Sequence, residues 1–173
     1  MNQTLIILYV SFFFVRLSTL FISIRNERRL KADGGVEYGR FNSSILAILH
    51  IGFYLAAFGE GYDKAVQIDQ ETMIGIAVYL FSILALFYII YELSPVWTVK
   101  LIIASEHNLN KSLLFRYLRH PNYFLNVIPE LVGLAVMLKA YNTLLILFPI
   151  YLGSLAVRII QEEQIMRAKF SDY

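Results

Sequence analysis

Long apolar segments constrain this chain more than any other feature of its sequence. Of the 173 residues, 58% are hydrophobic and 16% are charged, and the mean hydropathy is +0.59. A helix of roughly 20 apolar residues spans the hydrocarbon core of a bilayer, and few soluble domains carry several such segments. The sequence therefore predicts an all-α integral membrane protein that forms a single domain over residues 1–173.

Five segments are apolar enough to be transmembrane helices. The first carries Arg16 and lacks the basic start of a secretory signal, so we expect an uncleaved span. Residues 1–91 supply three spans, and residues 92–173 form a motif region that supplies two more. Within residues 92–119, alternating β-branched residues fit either a short strand or a segment along the membrane surface. The expected spans are residues 4–24, about 41–58, 72–91, 121–138 and 141–157, with residues 158–173 continuing the last helix out of the membrane.

Lysine and arginine residues are concentrated on one side of the expected bundle. Residues 25–40 carry five of them, residues 92–122 carry four and residues 158–173 carry three, which is 12 of the 15 in the chain. Such residues accumulate in cytoplasmic loops. We therefore expect a multi-pass protein of the cell membrane with its N-terminus outside and its C-terminus in the cytoplasm.

A proline marks the start of the fourth span. Pro121 suits the first turn of a helix, where its missing N–H costs nothing, and it drives the preceding residue to extended geometry. A helix start presents free N–H groups and a partial positive charge, to which Arg116 and Arg119 add. We therefore expect an anionic group to bind here.

Three polar residues recur at every fourth position beyond that start. Asn122, Asn126 and Glu130 would line one face of the helix, and Pro129 is expected to bend it. Glu130 would lie roughly 13 Å from the helix start, close to the middle of the bilayer. An ionisable residue at that depth is costly. It either lines a functional pocket or forms a structural pair with Arg16.

The C-terminal end of the fifth span carries a second charged cluster. Arg158, Glu162 and Glu163 fit a solvated helix end with an ordinary ion pair, or a cation site beside the predicted anion site. A ligand for both halves would carry both charges and a face that stacks on aromatic residues such as Trp97, Tyr117 or Tyr123. S-adenosylmethionine has these properties, as do other zwitterions.

Cysteine and histidine restrict the possible chemistry. The absence of cysteine excludes disulfides, thiolate metal ligands and a cysteine nucleophile. His50, His107 and His120 lack the spacing of metal ligands, so no metal site is predicted. His50 lies within an apolar span, where a hydrogen bond between helices is the expected role.

Two linked motifs resemble the signature of the isoprenylcysteine carboxyl methyltransferase family. They are R-Y-L-R-H-P-N-Y at residues 116–123 and R-I-I-Q-E-E at residues 158–163. The resemblance implies a multi-spanning enzyme that uses S-adenosylmethionine. It further implies that Arg158 lies between cofactor and substrate. Asn126 and Glu130, on the polar face of the fourth span, are the other catalytic candidates. By the same resemblance, His120, Tyr123 and Glu163 would contact the cofactor, Arg116 and Tyr117 would shape its pocket, and Glu162 would support or share the contact with its ammonium group. Pro121 and Asn122, at the predicted helix start, are the other candidate cofactor-binding residues.

Other features are similar to a narrower bacterial subgroup. Leu113, Leu114 and Phe115 stand where many relatives have a Gly-Pro turn, and the chain ends in F-S-D-Y. Both features resemble members from bacilli that O-methylate alkylpyrones made by type III polyketide synthases. The resemblance implies a lipophilic enol or carboxyl acceptor, a membrane lipid environment, a functional link to such a synthase and no nucleic-acid partner.

Two other functions remain open at the level of sequence. A small transporter or scaffold would use a buried Arg16–Glu130 pair. A nicotinamide-dependent membrane reductase is the second, since membrane sterol reductases resemble this family at their C-terminal ends. The sequence lacks the G-x-G-x-x-G fingerprint, although such membrane enzymes need not carry it.

Overall fold

The computed structural model describes residues 1–103 and 118–169, which form a bundle of five helices with a two-stranded ribbon at one end. Four helices, α1, α2, α3 and α5, are long and apolar enough to cross a membrane, and α4 is a shorter apolar helix. The prediction of an all-α membrane protein is thereby confirmed. In chain order the elements are α1 (Gln3–Ala32), β1 (Val36–Tyr38), α2 (Arg40–Asp63), α3 (Gln70–Leu93), β2 (Leu101–Ile103), α4 (Asn122–Met137) and α5 (Tyr141–Lys169).

The first helix extends well past its predicted end. Residues 25–32, expected in a basic loop, continue α1 because Arg, Glu and Lys are good helix formers. Glu27 and Lys31, one turn apart, form an ion pair of 2.7 Å that supports this extension. The helix ends before Gly34, whose φ of +82° suits glycine. Hydropathy therefore located the apolar part of this helix but not its charged end.

Helices α3 and α4 pack backbone against backbone through two glycines. A Cβ atom added to Gly75 would overlap the backbone of Met137, and one added to Gly133 would lie 2.7 Å from the Tyr79 nitrogen. Small residues permit this close approach between helices in membranes. The fourth helix is consequently fixed against the third along its length.

A wide π-helical turn begins α4. It spans Asn122–Val127 and closes with a hydrogen bond from the Ile128 N–H to the Tyr123 carbonyl, five residues back. The sequence predicted a bend at Pro129; the structure instead places this turn immediately before it. Proline has no N–H and clashes with the carbonyl four residues before it. The wider turn upstream fits that local disruption of the hydrogen-bond ladder.

The short ribbon shows that part of the segment after α3 is a β-strand. Strands β1 and β2 pair antiparallel, with Val36 opposite Ile103 and Tyr38 opposite Leu101. Leu101 and Ile103 also pack against Met166 of α5. Residues 101–103 therefore form a short strand, one of the two alternatives that the sequence left open, and it lies beside the C-terminal part of α5.

The two ends of the bundle have distinct contacts. At the end without the ribbon, the Asn2 N–H donates to the Val66 carbonyl over 2.8 Å, and Lys139 pairs with Asp69. At the other end lie the ribbon, the start of α4 and the last part of α5. The described part of the first motif, residues 118–123, thus lies at the same end as the second motif, residues 158–163.

Candidate functional site

His120 joins the start of α4 to the C-terminal part of α5. Its Nε2 atom lies 3.1 Å from Glu163 Oε1, and its Nδ1 atom lies 3.7 Å from Glu162 Oε2. The histidine is buried, with 8% of its surface exposed. One imidazole therefore faces two adjacent carboxylates.

These carboxylates raise the pKa of the histidine. Burial alone acts to lower the pKa of His120, but the hydrogen bond to Glu163 and the charges of Glu162 and Glu163 outweigh it, so the pKa is raised above its usual value of 6.5. At this end of the bundle, the imidazole is held between the two glutamates.

Tyr123 extends the cluster toward the interior. Its hydroxyl donates to Glu162 Oε2 over 2.8 Å, and its ring stacks on His120 with centroids 5.7 Å apart. The same hydroxyl accepts a long hydrogen bond of 3.4 Å from Arg158 Nε. Tyr123 therefore connects the carboxylates to the arginine.

Arg158 is buried and surrounded by neutral oxygen atoms. Only 3% of its surface is exposed. Besides Tyr123, its guanidinium donates to Ser43 Oγ over 2.6 Å and to the Val99 carbonyl over 3.0 Å. Within residues 1–103 and 118–169, no carboxylate forms an ion pair with it. A buried cation with neutral partners is suited to receive an anion.

Two exposed arginines stand at the rim of the cluster. Arg119 Nη1 lies 3.5 Å from Glu163 Oε2, and Arg167 Nη2 lies 3.1 Å from the same oxygen. Both side chains are largely exposed, so these ion pairs contribute little to stability. They do, however, partly neutralise Glu163.

Of the remaining predicted cofactor-binding residues, two are described by the structure and two are not. Pro121 is buried immediately before α4, and Asn122 Oδ1 accepts from Asn126 Nδ2 over 3.0 Å. The other amide oxygen, Oδ1 of Asn126, is buried without a hydrogen-bond partner in the described part of the chain. Arg116 and Tyr117 lie outside the described residues.

Glu130 lies in a different polar cluster, inside the bundle. It is fully buried, and its Oε1 atom is 2.7 Å from Arg16 Nε and 3.4 Å from His50 Nε2. The Tyr54 hydroxyl donates to the same oxygen. The structural pair with Arg16, one of the two interpretations of the sequence, is thus present. His50 also contacts the Tyr151 hydroxyl at 3.4 Å, which links α2 to α5 as expected.

Sequence reasoning missed two groups that hold Arg158. Ser43 belongs to the first turns of α2, and Val99 precedes β2, far from either motif. Nothing in the sequence indicated that either residue contacts Arg158. A serine near a helix start has many ordinary roles, and Val99 contributes only its backbone carbonyl. Trp97, considered as a stacking surface, is instead buried against Leu86 and Ile89.

The bundle and its charged cluster define a class: multi-pass helical membrane proteins with a polar site where the helices end. Residues 73–168 match the isoprenylcysteine carboxyl methyltransferase (ICMT) family, and the chain belongs to that family. This confirms the resemblance seen in the motifs. Members of this family are membrane methyltransferases, and they generally use S-adenosylmethionine.

Two bacterial relatives cover nearly the whole chain. An uncharacterized protein of Haemophilus influenzae is 49% identical over 156 residues, which are 90% of this chain and 91% of the relative. The uncharacterized protein YpbQ of Bacillus subtilis is 24% identical over 153 residues, which are 88% of this chain and 90% of the relative. No solved structure matches the chain.

Proposed function

We propose that the protein transfers a methyl group from S-adenosylmethionine to an oxygen atom of a lipophilic acceptor, an alkylpyrone-like enol or a carboxyl group. The observation that carries this proposal is the convergence of His120, Tyr123 and the Glu162–Glu163 pair with Arg158 at one end of the bundle. The cluster provides negative and positive groups within one small region. Such a distribution suits a zwitterionic cofactor next to an anionic acceptor.

The charged and polar groups of the cluster complement those of the cofactor. Two adjacent carboxylates suit its ammonium group, and the buried Nδ1 atom of His120 has no hydrogen-bond partner in the described residues. His120, Tyr123, Glu162 and Glu163 would hold the cofactor, with Pro121, Asn122, Arg116 and Tyr117 completing the pocket. When bound, S-adenosylmethionine supplies a methyl group made electrophilic by its sulfonium.

Arg158 would orient the acceptor. An acidic enol or a carboxyl group is already anionic near neutral pH, so the chain need not provide a general base. Correct placement of two reactants can by itself lower the activation barrier by several kcal/mol, and by roughly 7 kcal/mol or more in favourable cases. The buried guanidinium supplies a fixed positive charge for that purpose.

An outward-facing groove between α2 and α5 offers space for the acceptor's alkyl tail. It encloses about 630 Å³, and its lining includes Ile45, Ile150 and Val157. Val157 and Asn42, which also lines the groove, are the direct neighbours in sequence of Arg158 and Ser43. A tail lying there would keep the polar head close to the cluster.

Asn126 and Glu130 remain predicted catalytic residues. Asn126 has an unpaired buried Oδ1 atom among the described residues, which suits a place in the pocket wall. Glu130 uses Oε1 for Arg16, His50 and Tyr54, whereas its Oε2 atom has no hydrogen bond there. Pocket-lining and structural roles for Glu130 are therefore two separate hypotheses.

The cellular setting follows from charge and resemblance. The site lies at the end of the bundle where basic residues accumulate, so we propose that it faces the cytoplasm at the cell membrane. A lipophilic acceptor would reach it from the bilayer. By likeness to the bacterial subgroup, a type III polyketide synthase would supply that acceptor.

Binding of labelled S-adenosylmethionine to the purified protein in lipid nanodiscs tests the site. We expect Glu163→Ala and His120→Ala to abolish binding, and Gln164→Ala, an exposed neighbour, to leave it unchanged. Unchanged binding in both site variants would refute the assignment. Incubation with a total lipid extract, followed by mass analysis of the labelled product, would identify the acceptor.

The Arg16–Glu130 ion pair is the one observation that favours a transporter or scaffold. That alternative predicts indifference to S-adenosylmethionine and a phenotype confined to changes of these two residues. A reductase predicts that a nicotinamide dinucleotide displaces labelled S-adenosylhomocysteine. Competition between the two ligands therefore separates all three functions.

A further inference from the structure

The hydrogen bonds of Arg158 to the described residues use only part of its guanidinium. An arginine side chain has five N–H donors. Tyr123 takes the one on Nε, while Ser43 and the Val99 carbonyl each take one on a different terminal nitrogen. Two N–H groups, one on each terminal nitrogen, have no partner in the described residues. These are the donors available to an acceptor.

Ser43 makes the shortest of the three hydrogen bonds to Arg158, and its own side chain is held in place. Its Oγ atom lies 2.6 Å from Arg158 Nη1 and donates to the Gly39 carbonyl over 3.1 Å. Gly39 adopts a φ of +58°, and a Cβ atom there would overlap the side chain of Gln161 on α5. The start of α2 is therefore packed closely against α5 beside the arginine.

The Val99 carbonyl is anchored from another direction. The Val99 N–H donates to Ser23 Oγ on α1 over 2.9 Å. The guanidinium is consequently held between α2, α4 and a segment fixed to α1. A long, flexible side chain is thereby restricted to one orientation.

We propose that Ser43 is a positioning residue that orients Arg158 toward the methyl acceptor. This inference rests on the proposed function, since it concerns the acceptor half of the same site. Ser43 acts through the arginine and need not touch either reactant. Its loss would leave an N–H of a buried cation without a partner and would release the guanidinium from its fixed orientation. Misplacement of this kind reduces rates steeply.

The adjacent residue provides a matched control. Ser44 donates to the Arg40 carbonyl over 3.1 Å, which is the same bond to the fourth preceding residue that Ser43 makes with Gly39. Ser44 is exposed and has no bond to Arg158. Ser43→Ala and Ser44→Ala therefore remove the same local helix contact, but only Ser43→Ala removes the contact with the arginine.

Kinetics with two defined acceptors, dodecanoic acid and 4-hydroxy-6-undecyl-2-pyrone, test the proposal. With labelled S-adenosylmethionine, we expect Ser43→Ala to lower kcat/KM about tenfold or more and Ser43→Thr to restore most of the activity. Ser44→Ala should remain within twofold of wild type. The dissociation constant of S-adenosylhomocysteine should change less than twofold in all three variants. Equal rates for Ser43→Ala and Ser44→Ala, or a matching loss of cofactor affinity, would overturn the proposal.

A spectroscopic measurement decides the matter even if neither acceptor is methylated. The Nε–H resonance of Arg158 is assigned in ¹⁵N-arginine-labelled protein by its disappearance in Arg158→Lys. We expect Ser43→Ala to shift or broaden this resonance and Ser44→Ala to leave it in place. An unaltered resonance in Ser43→Ala would refute the positioning role. Failure of methylation with a shifted resonance would instead count against the proposed acceptors.

Discussion

Arg16 of α1 and Glu130 of α4 form an ion pair inside the bundle, with 2.7 Å between Nε and Oε1. Glu130 is completely buried, and the side chain of Arg16 is 19% exposed. Opposite charges at such depth stabilise only if both remain, because either one alone carries a large desolvation cost. The pair therefore links the first and fourth helices at a point remote in sequence.

Removal of one partner should be more harmful than removal of both. We expect Glu130→Leu or Arg16→Met to lower the free energy of unfolding by about 3–5 kcal/mol, and the double variant to lose much less. Reversible unfolding in mild detergent measures this. Binding of S-adenosylhomocysteine in the double variant then tests the role of Glu130. Retained binding and activity would support the structural hypothesis, and retained binding without methyl transfer would support the pocket-lining one.

The raised pKa of His120 gives the site a pH dependence with a defined sign. A histidine whose pKa is higher in the folded state than its unperturbed 6.5 contributes stability that is fully present below that value. This contribution is lost as pH rises through the folded-state pKa. Titration of the His120 ring by NMR should therefore give a midpoint above 6.5 in the wild type. Glu162→Gln with Glu163→Gln should move the midpoint downward, and a midpoint unaffected by both would contradict the described contacts.

Tyr123→Phe isolates the hydroxyl that joins Glu162 to Arg158. The phenyl ring would keep its stacking on His120, while the two hydrogen bonds of the hydroxyl would be lost. The hydroxyl would hold Glu162 in place for the cofactor, and one such buried bond is worth about 1–1.5 kcal/mol. Because a released Glu162 would have to be reordered on binding, the affinity for S-adenosylhomocysteine should fall roughly 5- to 10-fold. Titration calorimetry gives the value. Tyr62→Phe, at an exposed tyrosine, serves as the control, and equal affinities in the two variants would exclude a role for the hydroxyl.

The groove between α2 and α5 can be filled without disturbing the core. Gly153 lines the groove, and a Cβ atom added there meets nothing within 4 Å. We expect Gly153→Trp to reduce methylation of a long-chain alkylpyrone by about tenfold while sparing a 6-methyl analogue, because a bulky side chain would exclude the tail. Gly52→Trp is the control, since Gly52 also faces open space. Equal effects of the two substitutions on both acceptors would place the tail elsewhere.

Hydropathy was sufficient for the helices but not for their ends. Apolar length predicted the position of all five helices, four of which are long enough to cross a bilayer, because a bilayer imposes a minimum length on a spanning helix; α4 is shorter. The charged residues 25–32 were missed as helix since their pairing, as between Glu27 and Lys31, is a local effect that hydropathy ignores. The π-helical turn at Asn122–Val127 was equally hidden, because a four-residue spacing of polar residues reads as a regular helix.

The site was predictable where residue chemistry was concentrated in the sequence. The charge distribution predicted that His120 and Glu163 lie on the same side of the membrane, and the resemblance predicted that both contact the cofactor. Their contact at 3.1 Å is consistent with both predictions. The interactions of Ser43 and Val99 with Arg158 depend on how α2 and the chain before β2 pack against α5. That information resides in tertiary packing, and no local pattern carries it.

The neutral surroundings of Arg158 have a thermodynamic consequence. Among the described residues its hydrogen-bond partners are uncharged oxygens, so its desolvation cost is offset by hydrogen bonds but by no ion pair. An anion arriving beside the guanidinium would remove that cost and so raise the melting temperature more than a neutral ligand of the same size. The same ion pair between Arg158 and the substrate anion would then contribute both to substrate recognition and to the stability of the folded protein.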